Sequence, residues 1–225
     1  MIKNLLNLFF PNACYACSNL LVDNEKHICT SCRHNLPITN FHFNNSKIIE
    51  KIFYGRVKIE NATALFRFQK KGIVQQLLHN LKYRGHEKIS LILGDWLGNE
   101  LKTISNYNTI DLVIPVPLHK KKLKKRGYNQ TAKFGIQIAK ALNAKYLDSV
   151  LIKTTATKTQ VFKSRISRWN ASKEVFAIEN KSLIEGKHIL LVDDIITTGA
   201  TIEACVAVLN KASNIKISIA TMAIA

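Results

Sequence analysis

The sequence is short of acid. Its 225 residues hold 15 Asp and Glu against 33 Lys and Arg, for a formal net charge of +18. Proline (4) and glycine (9) are also scarce, which argues against disorder, and an apolar share of 47% is enough for a real core. The length allows one ordinary domain plus a small appendage. No apolar run reaches the ~18 residues of a membrane span. The opening Met1–Phe10 is apolar but broken by Lys3, Asn4 and Asn7, and it meets Pro11 without a small-residue cleavage site. It reads as a packing helix, not a signal peptide. Neither G-x-G-x-x-G nor G-x-x-x-x-G-K-[ST] occurs, which excludes both of those nucleotide loops. None of the seven histidines pairs with another at metal-ligand spacing, and His119 stands out only because it opens a basic run. Internal repeats and low-complexity tracts are absent as well.

The positive charge is concentrated. Leu112–Lys173 holds fifteen Lys/Arg and a single acid, Asp148, and its densest part is H-K-K-K-L-K-K-R at His119–Arg126. Such a run is either a solvated face or a polyanion-binding face, since phosphate contacts need Lys and Arg and release counterions. The aromatics of the span (Tyr128, Phe134, Tyr146, Phe162, Trp169) are either stacking partners for bases or core and loop anchors.

Four of the five cysteines form a pattern. Cys14-x2-Cys17 and Cys29-x2-Cys32 are two knuckles separated by eleven residues. Two knuckles complete a tetrahedral four-sulfur site, so the reading is structural zinc, with an iron–sulfur cluster or a redox pair as alternatives. Four thiolates leave no open position for catalysis. Reduced thiols imply a cytoplasmic location. Cys205 shares an apolar helix face with Ile202, Val206 and Leu209 and reads as core.

Along the chain, a first module is expected over residues 1–43 and a second over 44–225, joined near Asn44-Asn45-Ser46. Ala64–Phe68 reads as a strand. Ile73, Leu77, Leu78 and Leu81 form a helical stripe that ends at Gly85, and Ile89, Ile92, Leu93, Trp96, Leu97 and Leu101 form a second. Asp111–Val116 is a strand, followed by a basic loop that ends in R-G-Y-N-Q at Arg126–Gln130. Ala132–Leu142 is a helix, Tyr146–Ile152 a strand, and Thr154–Asn170 a long polar loop of the kind that is usually functional or mobile. Ile189–Val192 is the central strand, Ala200–Ala212 its helix, and Ile215, Ile217 and Ile219 mark a last strand. Alternating strands and helices predict an α/β, doubly wound, mostly parallel sheet.

The most informative stretch is Ile189–Thr201, I-L-L-V-D-D-I-I-T-T-G-A-T. A buried strand runs into two adjacent carboxylates at its carboxyl end, where open α/β sheets place ligands. Asp193 and Asp194 point in different directions along a strand. A carboxylate there can accept from vicinal ribose hydroxyls or from water held on Mg2+. Thr197, Thr198, Gly199 and Thr201 then offer hydroxyls and backbone N–H groups at a helix start, a cradle for a monoester phosphate.

Those thirteen residues resemble the PRPP-binding (phosphoribosyl pyrophosphate) motif of type I phosphoribosyltransferases. The resemblance implies that fold type, with Asp193 and Asp194 facing the ribose hydroxyls. It implies that Ile196, Thr197, Thr198, Gly199, Ala200 and Thr201 hold the 5′-phosphate. It places Pro117–Tyr128, with Lys120, Lys121, Lys122, Lys124, Lys125 and Arg126, opposite the pyrophosphate, and makes Thr154–Asn170 the flap that closes over the site. Together with the four-cysteine module, L-K-Y-R-G (Leu81–Gly85), P-V-P-L-H (Pro115–His119) and R-G-Y-N-Q, the chain is similar to the ComF family over nearly its whole length. That family couples a zinc finger to a phosphoribosyltransferase domain and is linked to DNA uptake in natural transformation. In the flap Gln160, Arg165, Arg168 and Trp169 match, but Asn170 follows Trp169 directly, one residue short of the family spacing.

The resemblance implies Zn2+ in the cysteine module and Mg2+ with PRPP. One expected function is binding of PRPP, or a related sugar phosphate, together with single-stranded DNA, with a DNA-uptake helicase as a partner. The other is transfer of ribose 5-phosphate from PRPP to an unidentified acceptor. There Asp193 and Asp194 orient the ribose and stabilise positive charge, while Lys124, Lys125 and Arg126 stabilise the leaving pyrophosphate. A regulatory sensor of PRPP or a nucleotide is a third option.

Overall fold

The computed structural model describes residues 12–154 and 175–225. The helix expected at Met1–Phe10 and the flap residues Gln160, Phe162, Arg165, Arg168, Trp169 and Asn170 lie outside the described residues.

Among the described residues, five strands form one sheet in the order β1-β7-β6-β2-β3, every neighbouring pair parallel. They are β1 (Ala62–Arg67), β2 (Leu112–Pro115), β3 (Lys145–Tyr146), β6 (His188–Ile196) and β7 (Lys216–Ile224). β6 and β7 lie at the centre and are buried along nearly their whole length, which is why they read as apolar runs and not as clean alternation. β4 (Leu151–Thr154) and β5 (Val175–Ile178) form a separate antiparallel pair.

Helices cover both faces. α3 (Ile73–Tyr83), α4 (Lys88–Leu101) and α6 (Ala132–Ala141) bury Leu77, Leu81, Leu93, Leu97, Phe134 and Ile138 with Leu190 and Val192 of β6. On the other face α2 (Ile48–Phe53) and α7 (Ala200–Leu209) bury Ile49, Phe53, Ile202, Cys205 and Leu209 with Ile189 and Leu191. The sheet is therefore doubly wound, and Cys205 is core, as its spacing predicts.

The cysteine segment, with α1 (Thr30–His34), does not stand apart. Cys14, Ala16, Ile28 and Leu36 belong to the same apolar cluster as Leu65 and Leu77. Chain 37–39 runs antiparallel against β1: Arg67 N–H donates to Pro37 O (2.8 Å) and Thr39 N–H to Leu65 O (3.0 Å). This covers an edge that would otherwise present unpaired backbone groups.

Three expectations are corrected. The basic loop is a helix, α5 (Lys120–Arg126). Lysine is a good helix former and no Gly or Pro interrupts the run. His119 caps its start, accepting from Lys121 N–H (3.2 Å), and Gly127, at φ +83°, ends it. Second, Tyr146–Ile152 is not one strand. β3 leaves the sheet after two residues, because Val150 and Leu151 are drawn into the core beneath α2 and α7. Third, β6 continues beyond Val192 to Ile196, so the two carboxylates lie within the paired ladder, with Asp193 opposite Thr221.

Candidate functional site

Parallel pairing sends β2 and β6 out at the same edge of the sheet. β2 leads into α5 there, and β6 leads into the turn before α7. Residues of β6 alternate between the two faces, so Asp194 follows Leu190 and Val192 to the α3/α4/α6 side, while Asp193 follows Ile189 and Leu191 to the other.

Asp194 is buried and held on both oxygens. Lys82 Nζ, at the end of α3, meets Oδ1 at 2.8 Å, and Gln130 Nε2 donates to Oδ2. Arg126 donates to Gln130 Oε1 in turn, and its guanidinium lies over the Tyr83 ring, 5.7 Å from the centroid. The left-handed turn at Gly127 folds the chain back, so that the Tyr128 hydroxyl donates to Leu81 O and Asn129 Nδ2 to Val116 O (3.1 Å). L-K-Y-R-G and R-G-Y-N-Q thus close on the acidic pair of β6 from positions far apart in sequence.

Asp193 is buried and accepts from the Asp194 N–H (2.8 Å). Burial, with Asp194 as neighbour, pushes its carboxyl up to about 8. It lines a small concavity together with Ile195–Ile202. Thr197, Thr198 and Ala200 are exposed around it, and Gly199 is buried at φ +79° as the N-cap of α7. A Cβ on Gly199 would lie 2.8 Å from Phe53 Cε1, so only glycine lets this turn pack on α2. Arg56 braces the turn: Nη1 donates to Glu203 Oε2 of α7 (2.7 Å), and Nη2 to Ile52 O and to Thr198 O (3.5 Å).

The structure thus brings Asp193, Asp194 and Arg126 to one edge, with Ile196–Thr201 beside them. Lys120, Lys121, Lys122, Lys124 and Lys125 project from α5 into solvent, and Arg126 alone of the basic run reaches the Asp194 network. Of the aromatics in the basic span, Phe134 is fully buried and Tyr128 and Tyr146 are half-buried. Sequence reasoning missed Lys82, Gln130 and Arg56 as site residues. The first two had a signal in the motifs that contain them, and Arg56 had none.

At the other end of the chain, the sulfurs of Cys14, Cys17, Cys29 and Cys32 all lie within 4.8 Å of one another. A tetrahedral zinc with Zn–S bonds of about 2.3 Å spaces its sulfurs about 3.8 Å apart. The Cys17–Cys29 separation is 3.8 Å. Backbone N–H groups of Ala16 and Cys29 donate to Cys14 Sγ (3.4 and 3.3 Å), and that of Cys32 to Cys29 Sγ (3.4 Å). Such donors favour thiolate sulfur, and the set fits structural zinc.

Comparison with known proteins agrees with this organisation. Residues 132–223 match the phosphoribosyl transferase domain, and residues 5–42 match the double zinc ribbon domain. The matched ribbon segment holds four cysteines, enough for one four-sulfur site. "DNA utilization protein YhgH" of Escherichia coli O6:H1 is 30% identical over 129 residues, 56% of this chain and 56% of that protein. The alignment therefore spans about half the length of that relative. "Competence protein ComFC" of Bacillus subtilis is 26% identical over 198 residues, 84% of this chain and 74% of that one. A solved adenine phosphoribosyltransferase from Leishmania tarentolae is 16% identical, with a TM-score of 0.38, over 61% of this chain and 71% of that one. The fold assignment rests instead on the parallel sheet and the matched domain.

The chain is a phosphoribosyltransferase-type α/β fold carrying an N-terminal zinc-ribbon module. In that combination it matches the ComF family. Lys82, Arg126 and Gln130 all lie outside the matched transferase segment, so part of the wall around Asp194 comes from chain that precedes it.

Proposed function

We propose that this protein serves DNA uptake in natural transformation, binding PRPP or a related sugar phosphate at the sheet edge and single-stranded DNA along α5. The observation that carries the reading is the convergence of L-K-Y-R-G, R-G-Y-N-Q and the β6 acidic pair on Asp194. In this reading Asp193 and Asp194 take the ribose hydroxyls, Ile196–Thr201 take the 5′-phosphate, and Arg126 faces the pyrophosphate. Mg2+ arrives with PRPP and neutralises part of the diphosphate charge.

α5 and the similarity to a DNA utilization protein and to a competence protein support DNA as a ligand. Lys120, Lys121, Lys122, Lys124, Lys125 and Arg126 stand within one seven-residue helix that has no acid in its first turn. Like charges at i,i+3 and i,i+4 repel, and cations at the start of a helix oppose its dipole. A bound polyanion relieves both. In this reading the chain divides into a zinc module (1–43) and a ligand-binding domain (44–225), and the module meets a protein partner, a DNA-uptake helicase. The location is cytoplasmic, in keeping with four unpaired thiols gathered in one cluster.

The test is a titration of labelled single-stranded and duplex DNA at low and moderate salt. Single-strand binding should weaken steeply with salt, and changing the five α5 lysines to Gln should lower both the affinity and the salt slope. Unchanged DNA affinity in that variant refutes the α5 reading. The matched transferase domain favours a second reading, transfer of ribose 5-phosphate to an unidentified acceptor. That reading requires PRPP-dependent release of pyrophosphate, abolished when Asp193 and Asp194 are both changed to Asn.

A further inference from the structure

We propose that Tyr83 is a stacking platform for a nucleobase beside the Lys82–Asp194 network. The proposal deepens the function above and rests on its placing of the ligand at that edge.

The basic span itself offers no free ring among its described residues. Phe134 is fully buried, Tyr128 is tied by its hydroxyl to Leu81 O, and Tyr146 packs against Gly135 with its hydroxyl oxygen buried. Tyr83 lies outside that span, in the last turn of α3, and is 66% exposed. It follows directly after Lys82, whose ammonium holds Asp194. Arg126, which reaches Asp194 through Gln130, lies over its ring at 5.7 Å, and the His79 ring is 5.1 Å away.

These contacts hold the ring in place while leaving much of it open to solvent. A guanidinium within about 6 Å of a ring centroid is an attractive contact that fixes both groups. Exposed Arg84 adds positive charge next to it, and His79–Arg84 contains no acid. An exposed ring with Arg126 over it and Arg84 next in sequence is what single-stranded nucleic acid binds: bases stack, and phosphates meet Lys and Arg. The same chemistry suits the base of a small nucleotide. Tyr54 is exposed as well, but it follows α2 on the opposite face of the sheet and shares its concavity with Glu50.

The experiment compares labelled dT12 with an abasic dodecamer of equal charge, on the full chain. Wild type should prefer dT12 roughly tenfold. Tyr83→Ala should lose that preference while keeping its affinity for the abasic strand. Tyr83→Trp should keep the preference, and the emission it adds to that of Trp96 and Trp169 should be quenched by dT12. Tyr54→Ala should match wild type. Quenching of Tyr83→Trp by AMP and not by dT12 assigns the base to a small nucleotide and still supports the platform. Equal wild-type affinity for the two strands, with no AMP quench, overturns the platform but leaves the α5 reading standing. Binding of neither strand, with no AMP quench, overturns both.

Discussion

Asp194 holds two partners, Lys82 and Gln130, that approach from two different segments of chain, and Asp193 accepts from the Asp194 backbone N–H. Burial, with the Asp194 charge beside it, sets how Asp193 titrates. Asp193 keeps its proton in the folded chain up to about 8, whereas its ordinary value is 3.8. Between those values the folded state binds more protons than the unfolded one, so this residue's contribution to stability falls as pH rises. Asp193→Asn should therefore melt higher relative to wild type at about pH 8 than at about pH 5. Thermal melts across that range check it, and a constant difference would remove Asp193 as the cause. Gly199 is a second sensitive residue. Gly199→Ala combines a left-handed φ with a close approach to Phe53, and should cost about 2 kcal/mol or more. A denaturant midpoint equal to wild type would show that the turn can shift freely.

At the scale of elements, the sequence was legible where apolar periodicity or a local motif carried the signal. The α3 and α4 stripes and the α6 helix stand where their patterns put them, and β6 contains its expected run but extends four residues beyond it. α5 was misread because a run of lysines has no apolar period, although its helix signals, His119 before and Gly127 after, were both in the sequence. The Tyr146–Ile152 split was invisible because only the fold decides that Val150 and Leu151 leave the sheet for the core. The Lys82–Asp194 contact spans 112 positions, and no local rule pairs such residues. The cysteine knuckles are the opposite case, since their spacing alone predicts the four-sulfur cluster. Because zinc binding is coupled to folding in such modules, chelation should destabilise this one. Since Cys14, Ala16 and Ile28 share a cluster with Leu65 and Leu77, the loss should also lower the melting temperature of the whole chain. Metal analysis with and without chelator, followed by a melt, tests this, and an unchanged melt after complete metal loss contradicts it.

At the scale of the whole molecule, the parallel sheet brings the carboxyl ends of β2 and β6 to one edge, where Lys82 of α3 and Arg126 of α5 gather around Asp194 and Arg56, in the turn after α2, braces the turn before α7. The net charge of +18 suits an anionic ligand at that edge. The central claim is that the sheet edge carrying Asp193, Asp194 and residues 196–201 binds a sugar phosphate. Calorimetric titration of PRPP with Mg2+ into wild type, Lys82→Met and the Asp193→Asn, Asp194→Asn double variant tests it most directly. Saturable binding in wild type is predicted, weakened about tenfold or more in Lys82→Met and lost in the double variant. Equal binding by all three proteins, or no binding by the folded wild type, contradicts the account.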